Sequence, residues 1–151
     1  MPRLLVVHHT PSPVTRALLE EVLAGARHPD LGGAVDVVAS PALSTGAADV
    51  LAADGYLLGT PANFGYMSGA LKHFFDTVYY PCLGAVAGRP YGLWVHGNDD
   101  VTGAVRAVRS IAGGLGWTAV AAPLEVTGPV DTGVREACRD LGGTLAATLL
   151  D

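Results

Sequence analysis

Thr10, Ser12 and Thr15 place three hydroxyls within six residues, between the apolar run Leu4-Leu5-Val6-Val7 and a segment of helical period. A helix N-terminus attracts anions because its first N–H groups are unpaired and its dipole is positive at that end. This loop is therefore suited to a phosphate that no Lys or Arg need neutralise. Pro13 and Val14 lead into the helix, and Pro13 removes one backbone donor. The same residues also read as an ordinary helix start, with Ser12 as cap and Pro13 in the first turn.

A second run, Gly59-Thr60-Pro61-Ala62-Asn63-Phe64-Gly65-Tyr66-Met67, carries an unusual load of large apolar residues for a loop. A planar heteroaromatic ring needs flat apolar walls and a few polar groups at its edge. Phe64, Tyr66 and Met67 can supply the walls, Asn63 and the backbone the donors, and Gly65 a close approach because it lacks a Cβ. A turn with buried aromatics is the plainer alternative. The third loop begins at His96, Gly97 and Asn98, which can touch the ring or a substrate above it. Asp99 or Asp100, and later Asp131 or Thr132, are natural caps for the helices that follow.

Other chemistries find no support. The five histidines form no HExxH pair, and His8 and His9 are adjacent on a strand, so they point to opposite faces and argue against a metal site. There is no GxSxG elbow, Walker A loop or GxGxxG after the first strand. Nine Lys and Arg against fourteen Asp and Glu give a charge of -5 with no basic cluster, which disfavours nucleic acid. Cys82 and Cys138 stand far apart, in neither a CxxC nor a metal-ligand pattern, and read as reduced thiols of a cytoplasmic protein. No apolar stretch is long enough to cross a bilayer, and residues 1–9 lack a signal-peptide pattern.

The elements that must position these loops alternate between short apolar runs and longer helical segments. Strands are expected near 3–8, 34–39, 54–59, 90–96 and 118–123, each nearly continuous in apolar residues, as suits a parallel sheet covered on both faces. The stripe Val14, Leu18, Val22, Ala26 marks a first helix, and Leu71, Phe74, Phe75, Val78 a third. Val101 to Leu115 and Val134 to Leu149 give two more, whereas a second, around 45–52, is short and weakly patterned. Residues 1–151 then make one α/β domain, a three-layer sandwich on a five-stranded parallel sheet in the order 2-1-3-4-5. Its switch point brings the first and third strand-to-helix loops together.

Residues 54–80 carry a resemblance. Pro61 after the strand, the Phe64-Gly65 pair and Lys72 on the next helix resemble the isoalloxazine-binding loop of flavodoxin-like flavoproteins, notably the WrbA quinone reductases and NAD(P)H-dependent FMN reductases. The Thr10, Ser12, Thr15 spacing resembles the flavodoxin phosphate loop, with Pro13 where that family commonly has Gly. The resemblance implies a flavodoxin-like fold and FMN held without a covalent bond by Thr10, Ser12, Pro13, Val14 and Thr15, by Pro61 to Met67 and by His96, Gly97 and Asn98. It further implies an oxidoreductase using NADH or NADPH to reduce quinones, flavins or similar small acceptors, with a homo-oligomer left open. The alternatives are a flavodoxin-type electron carrier and a domain that has lost FMN.

Overall fold

In a computed structural model describing residues 1–151, the chain alternates strand and helix around a twisted parallel sheet. β1 (Arg3–His8), β2 (Asp36–Pro41), β3 (Gly55–Asn63) and β5 (Pro90–His96) form its centre in the order β2-β1-β3-β5. β6 (Thr118–Ala119) and β7 (Leu124–Val126) both pair with β5, and β4 (Tyr66–Met67) folds back antiparallel on the end of β3. Apart from that hairpin, the expected order 2-1-3-4-5 holds, with the fifth strand in two pieces. The fold is flavodoxin-like.

Side chains alternate across the sheet with the period of two that a strand imposes. Leu5, Val7, Tyr56, Leu58, Tyr91, Leu93 and Val95 face one apolar cluster, completed by α2 (Ala47–Ala52), α3 (Gly69–Cys82) and α4 (Thr102–Gly114). Leu4, Val6, Leu57 and Trp94 face the other, covered by α1 (Pro13–Ala26) and α5 (Thr132–Thr148). These are the three layers. Within them α1 and α5 approach until their backbones touch, since a Cβ on Gly142 would lie 2.0 Å from the Val22 carbonyl oxygen.

Three sequence expectations shift. β2 starts at Asp36 instead of residue 34 because Gly32 and Gly33, both at positive φ, hold the chain in a turn until Asp36 donates its N–H to Pro2 O. The run 118–123 pairs only at its start and resumes at Leu124, for Pro123 has no N–H to give a ladder. Val14 is 40% exposed, so the buried stripe of α1 is Thr15, Leu18, Leu19, Val22 and Ala26.

Candidate functional site

The parallel register carries three loops to one edge. His8 at the end of β1 lies opposite Gly59 of β3, and Pro61, two residues farther along β3, lies opposite His96 of β5. His9 extends the ladder by donating its N–H to Gly59 O at 3.0 Å. The segments after His8, Thr60 and His96 therefore leave the carboxyl end of adjacent strands. In open α/β sheets that is the ligand edge.

In the first loop, Ser12 caps α1 and Thr15 answers it. The Ser12 Oγ accepts from the Thr15 N–H at 3.2 Å, the Thr15 Oγ1 accepts from the Ser12 N–H at 3.1 Å, and the two hydroxyls lie 2.9 Å apart. Both the capping reading and the proximity of the hydroxyls are thus real, although Thr15 is buried and Ser12 half-buried. Thr10 Oγ1 lies 3.1 Å from His8 Nδ1. The amides of Thr10 and Val14 make no hydrogen bond within the chain. Pro11 and Pro13 contribute none.

The second loop is a two-residue hairpin. Asn63 pairs with Tyr66 across the turn, and Phe64 and Gly65 take φ values of +52 and +73. Positive φ at both central positions is the type I′ pattern, whose twist matches that of the flanking strands. Phe64 is the one non-glycine residue of the chain with positive φ, and its side chain is fully exposed. Tyr66 is 40% exposed, whereas Met67, one residue on and therefore on the opposite face, is 2% exposed and packs in the core. Met67 is thus no wall of the site. The hairpin rests on the start of α4, where a Cβ on Gly103 would meet the Gly65 carbonyl oxygen at 2.0 Å. Below it Thr60 is buried and accepts the Ser68 N–H at 2.9 Å, while Ser68 caps α3.

The third loop adds His96, half-buried, Gly97, buried, and Asn98, exposed. Gly97 donates its N–H to Val126 O at 3.0 Å, and a Cβ there would press on Val101 and Ala62. Burial lowers the pKa of His96, and burial followed by the charges of His9 and Arg16 lowers that of His8. Both imidazoles are neutral near pH 7. Asp131 is the expected cap of α5, accepting the Val134 N–H at 2.9 Å, whereas the cap position of α4 falls to Val101, and Asp100, one residue before it, accepts the Thr102 N–H at 2.9 Å. Lys72 is half-buried and pairs with Asp76 one turn on, and that hydrogen bond, with a smaller contribution from Tyr66 of the hairpin, raises its pKa.

Pro61, Ala62, Asn63, Phe64, Gly65 and Tyr66 therefore stand at one edge with Thr10, Ser12, Pro13, Val14 and Thr15, and with His96, Gly97 and Asn98. The edge is open. One cleft of the surface starts at Gly65 and Tyr66 and runs down α4 past Arg106, whereas the most voluminous lies elsewhere, between residues 25–31 and the second half of α5. Gly103 closes the run 95–103 expected to form the third loop, whereas Arg106 escapes the sequence reading, although an arginine three residues beyond that glycine is a visible signal.

A family model described as NADPH-dependent FMN reductase matches residues 12–127. Among curated proteins, a flavodoxin of Aquifex aeolicus is 33% identical over 105 residues, covering 66% of this chain and 55% of its own length, so the chain spans little more than half of that relative. Solved structures share the fold at low identity. An archaeal flavodoxin superposes with a TM-score of 0.84 at 17% identity, covering 99% of both chains. A Streptococcus pneumoniae flavodoxin gives 0.79 at 20%, over 98% of this chain and 99% of its own. A WrbA-like protein of Agrobacterium tumefaciens gives 0.74 at 19%, over 99% and 98%. With more than half of its residues matched by that one model, the chain belongs to the NADPH-dependent FMN reductase family.

Proposed function

We propose that the three loops hold FMN and that the protein is an oxidoreductase passing electrons from NADPH or NADH to a small acceptor such as a quinone or a free flavin. The observation that carries this reading is Phe64, an exposed aromatic held at φ +52 beside amides that have no partner in the chain. Positive φ in a bulky residue is unfavourable, and such strain concentrates at ligand clamps.

The donor set suits the cofactor. Thr10 N–H, Val14 N–H and the Ser12 hydroxyl sit at the start of a 14-residue helix, where a dianionic phosphate is favoured. The free amides of Phe64, Gly65, Asn98 and Asp99 suit a pyrimidine edge rich in acceptors, and Phe64 and Tyr66 supply apolar surface for the rings. FMN, when bound, supplies the hydride and single-electron chemistry, leaving orientation and electrostatics to the protein. Neutral His96 offers one donor and one acceptor nitrogen at the same edge. No side chain here has to act as general acid or base, and Asp99 and Asp100 are the carboxylates of the loop rim.

The test is stopped-flow mixing of FMN-loaded protein with each nicotinamide. Bleaching of the oxidised flavin band with NADPH or NADH, followed by recovery on adding a benzoquinone, is the expected result. A second reading, an electron carrier, is favoured by the likeness to the Aquifex aeolicus flavodoxin. Absence of bleaching with both nucleotides would replace the first reading with the second.

A further inference from the structure

The cleft that begins at Gly65 and Tyr66 does not end there. It passes Arg106 and Ser110 of α4 and continues, through Ser110 and Ile111, into a groove walled by Tyr79 and Tyr80 of α3. From Gly103 to Ile111 the helix covers about 12 Å at 1.5 Å per residue. Tyr80 is 80% exposed and Tyr79 meets it edge-on, with centroids 5.3 Å apart. The floor is partly apolar, lined by Ala107 and Ile111.

Charge along this groove is unusual for so acidic a chain. Of the nine Lys and Arg, Arg3, Lys72, Arg135 and Arg139 pair with carboxylates, and Arg27 and Arg89 are spent on carbonyl oxygens. Arg16, Arg106 and Arg109 alone have no such partner, and two of the three sit on α4, a helix without a single carboxylate. Arg109 lies near the Tyr91 hydroxyl, and Arg106 is near enough to Asp100 to help lower its pKa without forming an ion pair. The other carboxylate along the groove, Asp76, is taken by Lys72.

We propose that this groove binds the nicotinamide dinucleotide donor, with Arg106 on its pyrophosphate and Tyr80 against its adenine. The order of chemistry along the groove is that of the ligand: the exposed hairpin at one end, a guanidinium at the middle, an aromatic face at the other. A planar guanidinium binds phosphate oxygens in pairs, and an exposed ring offers its face to a base. The inference rests on the reading that a dinucleotide delivers hydride at the hairpin, and it assigns the rest of that dinucleotide a path.

The experiment measures calorimetric binding of NADP⁺ to FMN-loaded wild type, Arg106→Gln and Tyr80→Ala, alongside flavin bleaching by NADPH. NADP⁺ carries no hydride to give, so binding is read separately from turnover. The expected result is at least about a tenfold rise in Kd for Arg106→Gln, matching the loss of a charged hydrogen bond. Tyr80→Ala should weaken binding several-fold, and for both variants KM for NADPH should rise more than turnover falls. FMN affinity and Tm should stay at wild-type values, because both side chains are exposed and lie outside the three loops. Wild-type affinity for NADP⁺ in both variants, or no NADP⁺ binding by wild type, overturns the groove. Loss of NADP⁺ binding in Arg106→Gln without any bleaching of wild type by NADPH upholds the groove and sinks the reductase reading, so the two failures are distinguishable.

Discussion

Phe64 occupies a conformation that costs an ordinary L-residue about 1–2 kcal/mol, and its fully exposed side chain recovers none of this through packing. Asn-Gly is the preferred pair for a type I′ turn, so Phe64→Asn should stabilise the free protein by about 1 kcal/mol. The same change removes an apolar wall from the site and should weaken FMN binding. Thermal melts of the apoprotein together with fluorimetric FMN titration check both halves. A variant that melts earlier and binds FMN as before would show that the phenylalanine serves the turn alone. At this scale the sequence was easy to read for residue type and hard to read for direction. The aromatic load of residues 59–67 was visible, yet Met67 turned inward because one step along a strand reverses the face.

Among the elements, the long apolar runs were legible because burial on both faces leaves few polar residues in them, and β1 and β5 have the expected bounds. β4 was not legible, since its turn uses Phe-Gly where the usual signal is Asn-Gly or Asp-Gly. The division of the fifth strand was hidden by a run of small apolar residues that continues past its last paired position. Helix pairing was also invisible. The α1–α5 contact depends on Gly25 and Gly142, where added Cβ atoms would fall 1.9 Å from Arg139 O and 2.0 Å from Val22 O. Because the obstacles are backbone atoms, Gly142→Ala must push the helices apart and should lower stability by about 1–3 kcal/mol. Urea melts should show the loss. FMN affinity measured well below the midpoint should be unchanged, since that contact lies away from the three loops.

On the scale of the whole molecule, His8 and His96 couple the sheet edge to pH. Each has a folded pKa below 6.5, whereas in the unfolded chain each takes up its proton near 6.5. Between those values the unfolded chain binds more protons, so stability is complete above 6.5 and declines as pH falls through the window beneath it. The apoprotein should melt at a lower temperature at pH 5.5 than at 7.5, and His8→Gln with His96→Gln should flatten this part of the profile. An equally steep profile in the double variant would assign the acid sensitivity elsewhere. The two-piece fifth strand has a consequence for self-association. An uninterrupted outer strand offers a row of idle donors and acceptors on which another chain can crystallise strand by strand. Here that row lasts two residues at Thr118–Ala119, is broken before Pro123, and resumes for three at Leu124–Val126. The interruption denies fibrillar growth a template on this side of the protein.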